Sequence, residues 1–221
     1  MSASKSSSSK IRLLVDPRQP SAECIERAAE VIRAGGIVAY PTDTLYGLAA
    51  DPRDPRAVAS LFHVKGRPDD RAIPLVAADR LAATQAGRFT PMTHALAERF
   101  WPGPLTLLVQ ADDSLAPAIH GGTRLAGVRV PDSIVARDLA RAAGGLITAT
   151  SANRSGAPAT ADPRMVEDLA ESGLDLLLDA GAAPGGPPST IVDVTAEPPL
   201  LVRAGAVPWE RVLEFLDAAA Q

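Results

Sequence analysis

Apolar residues recur along the chain at two spacings, and segments of the two kinds alternate. Residues 21–33 carry them on one side of a helix that ends at Gly35-Gly36, whereas residues 36–40 form a short apolar run typical of a buried strand. Asp54-Pro55 and Thr90-Pro91 each place a capping side chain before a proline, the combination that begins a helix. The pattern predicts helices at 21–33, 55–64, 91–100, 133–143, 163–171 and 208–219, and strands at 36–40, 45–50, 73–77, 105–110, 126–130, 146–150, 174–178, 190–194 and 200–203.

This alternation of strands and helices predicts an α/β domain built on a mixed sheet. No linker long enough to separate two domains interrupts it, so residues 13–221 are expected to form a single domain. The first ten residues are rich in serine and lack the hydrophobic core of a secretory signal, which indicates a flexible tail over residues 1–12.

The charge balance argues against a general nucleic-acid binder. The chain has a formal net charge of −4, and Lys5 and Lys10 are the only charges in its first ten residues, which leaves −6 on the rest. Because nucleic-acid binding depends on neutralising phosphates, strong direct binding of nucleic acid is not expected. Any anion site must therefore be a local cluster of positive charge.

Cysteine content and hydropathy set further limits. The single cysteine, Cys24, excludes an internal disulfide, and no apolar run approaches the ~20 residues that span a bilayer. A cytoplasmic protein without a membrane partner is the expectation. Phosphate-binding P-loop, dinucleotide and serine-hydrolase motifs do not occur. His63, His94 and His120 lie far apart in the sequence, so no protein-bound metal is expected.

Lysine and asparagine are rare in this chain, and each occurs once beyond residue 10. Lysine occurs only at Lys5, Lys10 and Lys65, and asparagine only at Asn153. A genome biased against the codons of lysine and asparagine would explain why they are scarce, but not why they are kept at Lys65 and Asn153. Lys65 lies in Lys65-Gly66-Arg67-Pro68, where glycine lets the backbone approach a ligand and the two cations can hold phosphate oxygens.

Ser151-Ala152-Asn153 follows the apolar run at 146–150. Polar side chains just past a strand end are where α/β sheets usually bind ligands. Serine and asparagine also form turns, and taken alone the segment would be interpreted as one.

Arg129 and Arg203 each close an apolar strand. Burial of an unpaired guanidinium is costly, so each needs an anionic partner. That partner could be either a carboxylate of the chain itself or a phosphate of a ligand.

Seven sequence blocks resemble the YrdC-like threonylcarbamoyl-AMP synthase family, in the family's order and over roughly residues 20–205. They are Pro41-Thr42-Asp43-Thr44-Leu45-Tyr46-Gly47-Leu48, Lys65-Gly66-Arg67-Pro68, Trp101-Pro102-Gly103-Pro104-Leu105-Thr106, Val128-Arg129-Val130-Pro131, Ser151-Ala152-Asn153-Arg154-Ser155-Gly156, Ser189-Thr190-Ile191-Val192-Asp193 and Arg203-Ala204-Gly205. The chain looks like the single-domain form of that family.

The resemblance implies a twisted mixed sheet with helices packed around it and a large central cavity. It also implies a nucleotidyltransferase reaction in which L-threonine, bicarbonate and ATP, with Mg²⁺ on the polyphosphate, give threonylcarbamoyl-AMP and pyrophosphate. A partner transferase then moves the threonylcarbamoyl group to tRNA.

Site residues follow from the same resemblance. Lys65 and Arg67 would be catalytic. The residues expected to bind ATP and its phosphates are Lys65, Arg67, Arg129, Ser151, Asn153 and Arg203, and those expected near threonine are Thr44, Tyr46 and Ser189. One departure is that residues 73–79 carry no histidine, whereas common relatives have one on the threonine side.

Two alternatives remain at this point. One is a YrdC-like RNA-binding module without the activity, and the other is a relative that forms a carbamoyl adenylate.

Overall fold

Strands and helices interleave along the chain as its hydrophobic pattern predicts. The computed structural model describes residues 11–66 and 72–219. The strands are β1 (Ile11–Leu14), β2 (Val38–Pro41), β3 (Tyr46–Ala49), β4 (Leu75–Ala77), β5 (Gly87–Arg88), β6 (Leu105–Ala111), β7 (Leu125–Arg129), β8 (Leu146–Thr148), β9 (Thr150–Ser151), β10 (Leu176–Asp179), β11 (Thr190–Asp193) and β12 (Leu200–Arg203). The helices are α1 (Ala22–Arg33), α2 (Pro55–Lys65), α3 (Arg80–Ala83), α4 (Pro91–Phe100), α5 (Ile134–Ala142), α6 (Pro163–Val166) and α7 (Trp209–Ala219).

The strands form two mixed sheets rather than the one that the pattern predicts. The first has the order β1-β10-β2-β3-β9, and the second the order β12-β11-β6-β7-β4-β8, with β5 also paired to β6. The predicted strand at 146–150 is divided between them: β8 pairs with β4, and β9 pairs with β3. The chain thus crosses from one sheet to the other at Ala149, a change of partner that local hydrophobicity does not encode.

Most predicted elements match the observed ones to within two residues at each end, with two larger departures. β1 begins at Ile11, inside the expected tail at 1–12, because it gains a parallel partner in β10. Residues 1–10 lie outside the described part. The helix predicted at 163–171 is α-helical only over α6 and continues as a 3-10 helix before Gly173, whose φ is +111°. β1, α3 and β5 were not predicted.

The helices cover the sheets with their apolar sides. α1 buries Ile25, Ala28, Ala29 and Ile32, as its periodicity predicts, and packs against α5. Within 11–66 and 72–219, no helix is long and apolar enough to cross a membrane. The layering leaves the ends of β3, β7, β9, β11 and β12 around one cavity, where the candidate site lies.

Candidate functional site

The Lys65 side chain is enclosed by a loop that follows β9, here called the Ser-x-Asn loop (residues 151–157). Lys65 is only 3 % exposed. Its Nζ donates to the main-chain oxygens of Ser151 at 2.5 Å and Asn153 at 3.0 Å. It also reaches Asn153 Oδ1 at 3.3 Å and Ser151 Oγ at 3.5 Å. The two rare residues of the sequence therefore meet, and the ammonium charge lies directly beneath the loop.

One further hydrogen bond ties the loop to the end of α2, and another closes the loop on itself. Ser155 N donates to Lys65 O at 2.8 Å, and Asn153 Nδ2 donates to Ala157 O at 2.6 Å. Gly66 ends α2 in the left-handed conformation, at φ +60°, which glycine adopts without strain. The segment is thus a turn, as its composition suggested, but a turn organised around a cation. Arg67, predicted beside Lys65, lies outside the described residues.

Arg129 has an internal carboxylate partner. Its Nη1 donates to Asp43 Oδ1 at 2.6 Å, and the two side chains are 8 % and 10 % exposed. Asp43 Oδ2 also accepts a hydrogen bond from Asp132 N at 3.1 Å. Of the two partners that the sequence left open, the carboxylate is therefore present. Because Arg129 also lines the cavity, the pair places a guanidinium at the cavity wall without an uncompensated charge in the interior.

Arg203 lies on an exposed edge strand, contrary to the expectation that it closes a buried one. All four residues of β12 are exposed. Regular pairing from Leu201 opposite Val192 would set Val202 opposite Ile191, but a β-bulge sets Arg203 there instead. Ile191 faces the cavity, so the bulge brings Arg203 to the same wall. Although Arg203 as a whole is exposed, partial burial of its guanidinium at this wall, and then the charge of Arg129, lower its pKa.

Ser189 joins Arg203 to the neighbouring strand. Arg203 Nη2 donates to Ser189 O at 2.7 Å and to Ser189 Oγ at 3.1 Å. Thr106 Oγ1, on β6, donates to Ser189 Oγ at 2.9 Å. Ser189 was predicted from the family resemblance, whereas Thr106 was quoted only as part of a motif and given no role.

Thr44 and Tyr46 flank the same cavity on β3 and the turn before it. Thr42 Oγ1 accepts from the main-chain nitrogens of Thr44 and Leu45, which fixes the turn, and it lies 3.2 Å from Thr44 Oγ1. The Tyr46 hydroxyl donates to Gly181 O at 2.7 Å and accepts from Ala180 N at 3.1 Å. Burial raises the pKa of Tyr46 to about 12. Its hydroxyl is therefore neutral at physiological pH and bound within the chain.

One cavity of about 470 Å³ connects these groups. Its polar lining residues are Thr42, Thr44, Tyr46, Thr106, Arg129, Thr150, Ser151, Ser189 and Arg203. Lys65 and Asn153 are not among the lining residues, because Lys65 lies behind the Ser-x-Asn loop and Asn153 is a part of that loop directed at Lys65. The lining contains two guanidinium groups, several hydroxyls and, among the described residues, no carboxylate. The arrangement suits an anionic ligand that carries additional hydrogen-bonding groups.

A larger, open groove of about 840 Å³ lies along α2, lined by Phe62, His63 and small residues of 116–122. Among the residues described there, it has no arginine, lysine or carboxylate. The smaller cavity therefore has the chemistry of the candidate site.

Comparisons with known proteins place the chain in one family. Residues 30–205 match the family model Sua5_yciO_yrdC, described as "Telomere recombination". A threonylcarbamoyl-AMP synthase of Pyrococcus abyssi is 36 % identical over 189 residues, covering 85 % of this chain and 56 % of the relative. One of Chromobacterium violaceum is 32 % identical over 179 residues, covering 80 % of this chain and 92 % of the relative. The chain thus spans about half the length of several curated relatives that it matches, but most of the length of others.

Solved structures support the same relationship. Pyrococcus abyssi Sua5 complexed with L-threonine superimposes with a TM-score of 0.87 at 34 % identity, covering 93 % of this chain and 61 % of that one. Escherichia coli YciO gives a TM-score of 0.81 at 25 % identity and is covered over 98 % of its length. With a family model matched over most of its length, relatives above 30 % identity and the same fold, the chain belongs to the Sua5/YciO/YrdC family.

Proposed function

We propose that this chain is an L-threonylcarbamoyladenylate synthase, which makes threonylcarbamoyl-AMP and pyrophosphate from L-threonine, bicarbonate and ATP. The observation that carries the proposal is a single cavity that has Arg129 and Arg203 on its wall and Ser151 of the Lys65-supported loop at its edge. The names of the relatives and the threonine-bound structure of one of them support the choice of substrate. The product would serve a transferase that modifies tRNA.

The reaction requires two bond-forming steps. The amino group of threonine attacks the carbon of bicarbonate, and loss of water leaves a carbamate. A carbamate oxygen then attacks the α-phosphorus of ATP, and pyrophosphate leaves. Negative charge accumulates on phosphoryl oxygens, so the chain would contribute mainly positioning and positive charge.

The proposed roles divide between the two substrates. Arg203, Arg129, Arg67 and the Ser-x-Asn loop over Lys65 would hold the nucleotide and its phosphates. Thr44, Tyr46 and Ser189 would hold threonine, with the Tyr46 hydroxyl acting through the loop that it anchors at Gly181. Because the described lining has no carboxylate to hold a metal ion, Mg²⁺ would enter as part of the MgATP substrate.

The test is pyrophosphate release by the purified chain with MgATP and bicarbonate, comparing threonine, serine and no amino acid. We expect release that depends on both threonine and bicarbonate, with threonylcarbamoyl-AMP detected by mass spectrometry. Release that depends on carbamoyl phosphate instead would indicate the carbamoyl-adenylate alternative. Tight, salt-sensitive tRNA binding without turnover would indicate the RNA-binding alternative.

A further inference from the structure

The hydroxyl of Ser189 is saturated with incoming hydrogen bonds. Its oxygen accepts one from Thr106 Oγ1 at 2.9 Å and one from Arg203 Nη2 at 3.1 Å. A serine hydroxyl has two acceptor lone pairs and one proton to donate. Both lone pairs are therefore occupied, and the proton must be donated elsewhere.

No acceptor for that proton occurs among the residues that the structure describes. Ser189 is half-buried and lines the cavity, so its proton is donated to solvent in the free protein and to an acceptor atom of the ligand once a ligand displaces that solvent. The group that this wall recognises must therefore present an oxygen or nitrogen lone pair to Ser189. An ammonium group, which has no acceptor, does not fit there.

Thr106 is held in the position that this arrangement requires. It is 1 % exposed and lies on β6, whose parallel pairing with β11 sets it opposite Ile191. Its β-branched side chain has little rotamer freedom, so its hydroxyl stays directed at Ser189. Arg203 cannot replace it, because its guanidinium also holds the main-chain oxygen of Ser189 at 2.7 Å.

The backbone of Ser189 is fixed as tightly as its side chain. A Cβ placed on Gly205 would lie 2.3 Å from Pro188 O and 2.5 Å from the carbonyl carbon of Ser189. Only glycine allows the chain after β12 to cover Ser189 so closely. Ala206 N adds a hydrogen bond to Pro188 O at 2.9 Å. The orientation of the Ser189 hydroxyl is thus decided by its two donors.

We propose that Thr106 is a positioning residue that, by donating to Ser189 Oγ, commits the Ser189 hydroxyl to donate a hydrogen bond to an acceptor atom of the amino-acid substrate. This inference rests on the proposed function, because it takes threonine as the ligand at this wall. Thr106 contributes through Ser189 and not by contact with the phosphates.

The experiment measures equilibrium binding of L-threonine by calorimetry, together with KM for threonine and for ATP. In Thr106→Val, which keeps the shape but loses the hydroxyl, threonine affinity should fall about fivefold, the scale of one neutral hydrogen bond. KM for ATP should stay within about twofold. Thr106→Ser, which keeps the hydroxyl, should bind threonine with the affinity of the wild type. Thr93→Val is the matched control, because Thr93 is also 1 % exposed but belongs to the capping box of α4.

A double-mutant cycle separates positioning from general packing. Ser189→Ala should weaken threonine binding, and Thr106→Val should have no further effect in the Ser189→Ala background. Additive losses would overturn the inference, as would wild-type affinity in Thr106→Val or equal losses in Thr106→Val and Thr106→Ser. If Thr106→Val does not fold, Thr106→Ser and Ser189→Ala still test whether the hydroxyl is sufficient. A wild-type chain that fails to bind threonine would overturn the proposed function as well.

Discussion

Arg129 and Asp43 form a buried ion pair, with Arg129 Nη1 2.6 Å from Asp43 Oδ1, at the wall of a cavity suited to anions. The pair joins β7 of one sheet to the turn between β2 and β3 of the other. It therefore stabilises the junction of the two sheets and also presents a cation to the proposed phosphate site.

Removal of the Asp43 charge should destabilise the free protein. Asp43→Asn should lower the free energy of unfolding by about 3 kcal/mol, because the buried guanidinium of Arg129 loses its counter-charge. Denaturant titration measures this change. Asp113→Asn is the control, since the Asp113 side chain is 97 % exposed, and it should change stability by less than about 0.5 kcal/mol. Added pyrophosphate should stabilise Asp43→Asn more than the wild type, and an equal shift would count against an anion site at Arg129.

Loss of the Lys65 ammonium should abolish most activity. Lys65→Ala should reduce pyrophosphate release at least ~10²-fold, the scale of losing one electrostatic donor. Hydrogen exchange should also rise in the Ser-x-Asn loop, because Lys65 donates to two of its main-chain oxygens. Arg56→Ala is the control, with a side chain 94 % exposed. Near-normal turnover in a folded Lys65→Ala variant would contradict the proposed role.

The conformation of Gly66 should make substitutions there unequal. Gly66→Ala should cost about 1 kcal/mol, since a residue with a Cβ is strained at φ +60°. Gly66→Asn should cost less, because asparagine tolerates the left-handed region. Among the residues that the structure describes, leaving out the chain neighbours of Gly66, no atom lies within 4 Å of a Cβ built there, so none of these residues adds a steric conflict. Thermal melts of the two variants test which is the more stable. A higher melting temperature for Gly66→Ala than for Gly66→Asn would contradict this account.

Burial of Tyr46 predicts a loss of stability in alkali. Its pKa is raised to about 12 in the folded chain, above the ordinary value of 10.0, so folding favours the neutral phenol. The resulting stabilisation is complete below pH 10.0 and is lost as the pH rises towards about 12. Unfolding midpoints measured across this window should fall less steeply for Tyr46→Phe than for the wild type. Equal slopes would show that Tyr46 does not contribute to the dependence.

The sequence by itself determined most of the local elements and supplied the residues proposed for the site. α1 and α4 lie where hydrophobic periodicity and the Thr90-Pro91 cap predict them, because helix period and capping are local properties. The scarcity of lysine and asparagine marks Lys65 and Asn153 as candidate site residues. In the structure, Lys65 donates a hydrogen bond to the loop that contains Asn153. Arg67 stays a prediction.

Only the tertiary structure decided how these residues are arranged around the cavity. The split of one predicted strand into β8 and β9, the bulge that sets Arg203 opposite Ile191, and the two donors of Ser189 all depend on partners distant in sequence. Strand partners and buried ion pairs are chosen by packing among many segments, so local pattern cannot specify them. The sequence therefore predicted Lys65 as a cation for a ligand, and the fold sets its ammonium behind the loop to which it donates.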